Sequence, residues 1–559
     1  MPSSIPLNDS KAFFRSPAGL LLITLVLIAC LRLYGAAYHS LWQDEAVCVY
    51  KAQDGFARTV EILRQENQPP LYHFTLHIWM RLFGDDPGPL RMLSFLCGFL
   101  QILLIAWTAR VLFNGRTAWW ALLIAAVSPA LIEFSQEITP YALYWLLNSA
   151  ACLCFVIGME KSGRRTAEGG CARSSWARWT LYAVLRAASI YMHYFGLFFL
   201  MAEGLWALIQ FFGRRRAFFA WCVSLAGILL FFAPWLPIFL EQRRRVAGGF
   251  WVQSMALTDP KSVILPWANM LRQWVMWFPQ VQHKPWIYIT PAALLLFLGL
   301  AAWAIFRGGR LLFAKKLFST AEGESATSEA VEARGIALCL IYFLLPPVTV
   351  TVLALRGSAP FTPKYLLGSA PFFYILVAHG VGLISQNALR RTLGGVCVGL
   401  TLIGALLCVA APDYRPPEFN RAGRQIQAAW QDGDLAVVYD SDTFAGMHYY
   451  LRALHPEIIW HCPPDYEAPF WQGLEGYDQS KITPDIAPWI ASRPRIWICM
   501  RLHNSQPWAK DYVVSLREQI PEAALSDAGY RVVSHRIYLG VEVCELVADQ
   551  DATHRRAPN

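Results

Sequence analysis

Long apolar runs separated by short polar stretches fill the first three quarters of the chain. A run of about 18 or more apolar residues can cross a membrane as a helix. The runs predict about eleven spans, near 17–36, 91–112, 117–133, 141–159, 178–193, 195–212, 217–238, 287–306, 336–355, 366–385 and 392–411. Their middles are nearly free of charge. The first apolar run, Gly19–Leu33, has no small-residue cleavage site after it and reads as a retained span. From about Ala411 the pattern changes. Pro412, Pro416 and Pro417 mark a linker, and strand-like runs then alternate with helical ones over Leu435–Tyr439, Phe444–Leu451, Arg495–Cys499 and Tyr530–Val547. The expected fold is an α-helical polytopic membrane protein over residues 1–411, with a small α/β domain over 412–559. That domain has no glycine-rich phosphate loop and no nucleophile elbow, and no internal repeat is visible.

Charge sets the expected orientation. The net charge is +9, but the basic residues are scattered in short loops, which argues for membrane topology and against a nucleic-acid partner. With the N-terminus inside, the inside loops hold Arg116; Lys161, Arg164, Arg165 and Arg173; Arg214, Arg215 and Arg216; Arg307, Arg310, Lys315 and Lys316; and Arg390 and Arg391. An odd number of spans puts the C-terminal domain outside. Arg243, Arg244 and Arg245 break the rule, because they fall in an outside loop. The outside loops are 37–90, 134–140, 239–286 and 356–365, and the polar segment 317–335 lies inside. In 37–90 the spacing of Phe56, Val60, Ile62 and Leu63, then Leu71, Phe74, Leu76 and Ile78, predicts short amphipathic helices lying on the membrane. Trp119, Trp120, Trp235 and Trp286 flank the runs as interface belts require. Most of the 13 cysteines sit in apolar runs as small hydrophobes, and none has zinc-site spacing.

The polar motifs cluster at the outside junctions. Asp44 and Glu45 stand just past the first span, where an unpaired carboxylate is costly and therefore a candidate for chemistry. Helical neighbours point about 100° apart, so one would act as base and the other would orient it or hold an acceptor or metal. In Glu66–His73, Pro69 and Pro70 start a helix rigidly. His73 and His77 share one helical face, which supplies two ligands of a metal site that would need a third. Ser135–Tyr141 is a polar hinge with a further carboxylate, Glu137. His193 lies in the junction Tyr191–Phe195. Arg356 and Lys364 place two cations in one short outside loop, which favours a bound anion such as a lipid phosphate.

In succession, LWQDEA (41–46), QPPLYHFTLHIW (68–79), LRMLSFLCG (90–98), SPALIEFSQEITPYAL (128–143), HYFGL (193–197) and FTPKYLLGSAPFFYILVAHG (361–380) resemble the GT-C glycosyltransferases. The nearest group is the bacterial branch of the dolichyl-phosphate-mannose protein mannosyltransferase-like family (glycosyltransferase family 39 and its relatives), with the aminoarabinose transferases acting on lipid A as cousins. The resemblance implies a donor that is a polyprenyl-phosphate sugar, transfer to an acceptor hydroxyl on a lipid, glycan or protein with inversion, and a location in the bacterial inner membrane. It implies Asp44 as base in the first outside loop, 37–90, with Glu45 as companion. Relatives commonly carry His or Lys where Gln68 stands, and Arg or Lys where Thr139 stands. Losing both cations shifts the phosphate-binding expectation onto Lys364, Arg356 and Arg91, and the substrate-binding expectation falls on Glu137, Tyr141, His193, Tyr365 and Gln68. The family leaves the need for a divalent metal open, with His73 and His77 as candidates. The rival reading is a multi-span lipid transporter or flippase, whose mark would be ionisable groups in mid-membrane.

Overall fold

The computed structural model describes residues 17–34, 36, 39–161, 172–247, 260–276, 286–313, 328–356, 361–410, 417–438, 441–454, 457–461, 482–483, 487–490, 493–501 and 529–548. The chain divides into two compact units: Met1–Ala36 with Glu66–Thr75 and Leu90–Ala410, and Ala37–Gln65 with Leu76–Pro89 and Ala411–Asn559. This differs from the division at 411 read from the sequence, because most of the first loop goes with the C-terminal segment.

The first unit is helical. Among the described residues, seven of its helices are long and apolar enough to cross a membrane: Pro87–Leu112, Tyr141–Glu160, Arg215–Phe232, Tyr288–Arg310, Ser328–Leu355, Pro363–Gly382 and Asn387–Cys408. Gly19–Leu33 and Gly196–Ile209 are shorter apolar helices. The runs read as spans fall on helical segments, and the chain is a multi-pass membrane protein.

Three details differ from expectation. The run 117–133 is two helices, Gly115–Ala126 and Pro129–Glu133. Proline at the first position of the second helix has no N–H to continue the first, and the Ser128 hydroxyl accepts the Leu131 N–H at 3.5 Å as the new cap. The broken end is capped as well: buried Arg32 donates to the carbonyls of Ala126, at 2.9 Å, and Ala125, at 3.5 Å. The loop 239–286 holds two helices, Leu236–Ala247 and Pro260–Met276, and the second buries Met270, Trp274, Val275 and Met276. Of the segment 317–335, residues 328–335 begin the helix Ser328–Leu355, and 317–327 lie outside the described residues.

The helix middles also carry charge. Arg186 in Ala172–Met192 pairs with Glu203 in Gly196–Ile209, both wholly buried. Arg186 Nε donates to one Glu203 oxygen at 3.0 Å and Nη1 to Asn148 at 2.6 Å. Glu203 accepts further from the hydroxyls of Tyr182, at 2.7 Å, and Tyr342, at 3.2 Å, and Trp221 donates to Tyr182 at 3.1 Å. The set is neutral and densely hydrogen-bonded, which lets a charge pair lie in an apolar bundle. It fastens together helices Tyr141–Lys161, Ala172–Met192, Gly196–Ile209, Arg215–Phe232 and Ser328–Leu355.

The second unit is built on a six-stranded sheet of order β3-β2-β1-β4-β6-β5. Its strands are β1 (Leu435–Val438), β2 (Glu457–His461), β3 (Ile482–Thr483), β4 (Arg495–Arg501), β5 (Tyr530–Tyr538) and β6 (Val541–Ala548). The first four are mutually parallel, and β6 runs antiparallel to both β4 and β5. The run 530–547 is a hairpin that turns at Gly540, with φ of 69°, a conformation glycine adopts without steric cost. Phe444–Leu451 lies in a helix, Ser441–Leu451, that crosses between the parallel strands β1 and β2. One face of the sheet buries Ala436, Val438, Trp497, Cys499, Val541 and Val543 under the helices Phe419–Ala429 and Ser441–Leu451. Val47 and Tyr50 of the helix Gln43–Gln53 pack against this core.

Candidate active site

In the second unit, the helix Gln43–Gln53 divides the labour of its two carboxylates. Trp42 is the N-cap residue, which puts Asp44 and Glu45 at the second and third helical positions. Glu45 is 1% exposed, and its carboxylate turns back to accept the Trp42 N–H at 3.3 Å. This satisfies an orphan donor at the helix start, where negative charge is favoured by the macrodipole. Asp44 projects about 100° around the helix from Glu45 and is half-buried.

The segment before Asp44 is held from the other end of the chain. The Ser40 hydroxyl accepts the Asn420 N–H at 3.1 Å, and the Tyr450 hydroxyl accepts the Leu41 N–H at 2.8 Å. Tyr449 and Arg452 bind the second half of the loop: the Tyr449 hydroxyl donates to the Asp85 carbonyl at 2.7 Å, and Arg452 pairs with its carboxylate at 2.9 Å.

In the first unit, the sequence Thr362-Pro363 starts a short helix, Pro363–Leu366, with Lys364 at its second position. The structure brings four of the expected residues together here. The Lys364 ammonium lies 5.6 Å from the Tyr141 ring centroid and 5.8 Å from that of Tyr365, within cation–π range. His193 is 6.1 Å from Tyr141 and 5.2 Å from Tyr365, ring to ring, with Tyr144 at 5.2 Å and Phe195 at 4.9 Å completing the cluster. His193 lies just beyond the helix end at Met192. Enclosure among these rings, then the Lys364 charge, holds it below the ordinary histidine value. The Phe195 N–H donates to Nδ1 at 3.2 Å. The neutral ring must then carry its proton on Nε2, which makes that nitrogen a donor.

The other expected residues are placed more loosely. Arg91 is buried and donates to the Ala36 carbonyl at 2.9 Å. Arg356 is exposed at the end of its helix. The Gln68 carbonyl accepts from Gln242 at 3.2 Å, and Gln242 is bound by the Tyr194 hydroxyl, which itself accepts from Trp235 at 2.8 Å. This chain ties the Pro-Pro segment to the junction after His193. The Glu137 carbonyl accepts the Ser94 hydroxyl at 2.5 Å, which holds the hinge against the helix Pro87–Leu112. Gly98 on that helix permits the approach, since a Cβ there would stand 2.0 Å from the Ser135 hydroxyl. His77 Nδ1 bonds the Ala52 carbonyl at 2.7 Å, and among the described residues no third ligating side chain joins His73 and His77.

Glu133 was not singled out from the sequence. Lys364 acts electrostatically on it, so the cation has a carboxylate neighbour as well as aromatic ones. Its mark in the sequence is a lone charge inside the apolar run 117–133.

The model for the dolichyl-phosphate-mannose-protein mannosyltransferase family matches residues 67–238. No curated protein matches the sequence. Among solved structures, ArnT from Cupriavidus metallidurans bound to undecaprenyl phosphate is similar at a TM-score of 0.56 and 12% identity, over 95% of this chain and 98% of that one. The Archaeoglobus fulgidus oligosaccharyltransferase in complex with Zn and sulfate is similar at 0.53 and 12% identity, over 86% and 68%. The same organism's oligosaccharyltransferase AglB, in complex with an inhibitory peptide and a dolichol-phosphate, is similar at 0.51 and 11% identity, over 86% and 69%. At these identities the solved structures speak for the fold. Residues 67–238 thus match the dolichyl-phosphate-mannose-protein mannosyltransferase model, and the fold is similar to those of ArnT and the archaeal oligosaccharyltransferase.

Proposed function

We propose that this protein is a membrane glycosyltransferase that moves a sugar from a polyprenyl-phosphate donor to an acceptor hydroxyl, with inversion, on the extracytoplasmic face of the inner membrane. Asp44 removes the acceptor's proton as the acceptor oxygen attacks the anomeric carbon. The bond from that carbon to the phosphate oxygen breaks, and polyprenyl phosphate leaves with the bonding pair. The transition state is oxocarbenium-like, as in glycoside hydrolysis. Lys364 takes the developing charge on the phosphate, and His193 donates to it through Nε2–H. Tyr141 and Tyr365 hold the ammonium in place through their ring faces.

The observation that carries this reading is the division between Asp44 and Glu45. Glu45 is spent on its own helix start, while Asp44, one position away, is half-buried and anchored through Leu41 and Ser40. That is the environment expected for a positioned base, which contributes roughly 10²–10⁴-fold. Relatives by fold were solved with undecaprenyl phosphate and with a dolichol-phosphate, which supports a donor of that class.

The test uses the purified full chain, a labelled polyprenyl-phosphate sugar and a membrane-lipid extract as acceptor source. Asp44→Asn should lower transfer by at least about a hundredfold with donor binding retained. Transfer at near wild-type rate would remove Asp44 from the role of base. Lys364→Ala should raise the KM for donor, and an unchanged KM would remove Lys364 from the phosphate role.

A further inference from the structure

The C-terminal hairpin carries a second constellation. His535 on β5 is directly opposite Cys544 on β6, and Glu542 lies two residues before Cys544. A period of two along a strand puts Glu542 and Cys544 on one face, with His535 across from them. The His535 Nε2, a Glu542 oxygen and the Cys544 sulfur all lie within 4.8 Å of one another, and the first two are 2.5 Å apart. Glu542 is 1% exposed and Cys544 9%. Among the described residues this is the one group of three His, Cys, Asp or Glu side chains so arranged.

We propose that His535, Glu542 and Cys544 bind a divalent transition metal, with zinc as the best fit. A tetrahedral zinc with Zn–N and Zn–O bonds near 2.0–2.2 Å and a Zn–S bond near 2.3 Å holds its ligand atoms roughly 3.3–3.8 Å apart. The spread seen here, from 2.5 Å to within 4.8 Å, brackets that figure. The imidazole and a carboxylate oxygen separate by about an ångström as the ion enters. Thiolate and imidazole together select zinc over magnesium, calcium or manganese. Charge favours the same answer: one carboxylate and one thiolate cancel the two charges of the ion, so a nearly buried site stays neutral.

A plain His–Glu hydrogen bond across the hairpin accounts for two of the three residues. The Cys544 sulfur lies on the same face, in the apolar core with Leu435, Val437, Ile498 and Leu546. Three protein ligands leave a fourth position for water. The hairpin's outer strand, β5, is held only by β6 within the sheet, so a metal joining the two would pin it.

The test is metal binding by the full chain in detergent, stripped with a chelator and titrated with Zn²⁺ and, as a coloured probe, Co²⁺. The expected result is a Co²⁺ complex with a thiolate-to-metal charge-transfer band that Zn²⁺ abolishes. Cys544→Ser should remove the band, and His535→Gln should weaken binding at least tenfold. His535 is only half-buried, so the second variant remains informative if Cys544→Ser fails to fold. Absence of the band in the wild-type chain, or a His535→Gln chain that binds Co²⁺ as tightly as wild type, would overturn the proposal.

Discussion

The hydroxyl of Tyr450 accepts the backbone N–H of Leu41 at 2.8 Å, across 409 positions of sequence. Leu41 is wholly buried and stands three residues ahead of Asp44, so the C-terminal domain fixes the entry to the helix that carries the proposed base. Tyr450→Phe keeps the ring and removes the acceptor. A buried donor left unpaired costs about 1–3 kcal/mol, and the segment 40–46 should loosen. We expect faster amide hydrogen exchange over that segment and a lower kcat, with little change in the KM for donor. Wild-type exchange rates in Tyr450→Phe would show that Tyr450 does not hold the segment.

The Arg186–Glu203 pair predicts a non-additive mutation series. Glu203→Gln leaves a buried guanidinium without its counter-charge, and breaking one partner of such a pair costs about 3–5 kcal/mol. Arg186→Met should be similarly damaging. The double variant Arg186→Met with Glu203→Leu removes both charges and should recover most of the loss. Thermal unfolding in detergent measures this. Equal losses in the single and double variants would mean that the rings and amides around the pair, rather than its charge balance, hold the helices.

His448 gives the second unit a pH dependence of known sign. It stacks on Phe444 at 5.9 Å and meets Tyr50 edge-on at 5.5 Å. Burial, then the neighbouring Arg452 charge, lowers its pKa below the ordinary value, with Asp54 opposing. The folded chain thus binds fewer protons than the unfolded chain just below the ordinary histidine pKa of about 6.5. Stability contributed by the neutral ring is present above that pH and is lost as pH falls through it toward the lowered folded value. The melting temperature of the wild type should fall between pH 7 and pH 5 more steeply than that of His448→Phe. Parallel curves would exclude His448 as the source.

The sequence disclosed the helices well because apolar length is a local property. Even the break at Ser128-Pro129 is written in two adjacent residues. What it hid depends on partners far apart in the chain. Val47 and Tyr50 of Gln43–Gln53 carry no mark of the sheet they meet some four hundred residues later. Arg186 and Glu203 lie in separate runs, and pairing between two helices is invisible in either alone. The residues around Lys364 come from three junctions, near 141, 193 and 364, and the resemblance to a family gathered them before the geometry did. The cluster on the β5–β6 hairpin had no spacing to betray it, because two ligands come from one strand and the third from its antiparallel partner.

The neutral state of His193 separates two roles for it. As a ring it packs against Tyr144, Phe195 and Tyr365; as a donor it offers Nε2–H because Nδ1 is taken by the Phe195 N–H. His193→Phe keeps the first role and removes the second. A hydrogen bond to a charged partner contributes about 1.5–3 kcal/mol, or roughly ten- to a hundredfold in affinity. The KM for the polyprenyl-phosphate donor should therefore rise by at least about tenfold while the melting temperature stays near wild type. Because the folded pKa lies below the ordinary value, His193 stays neutral from pH 6.5 to 8 and adds no slope to donor affinity there. An unchanged KM in His193→Phe would assign His193 to packing alone and leave the phosphate to Lys364.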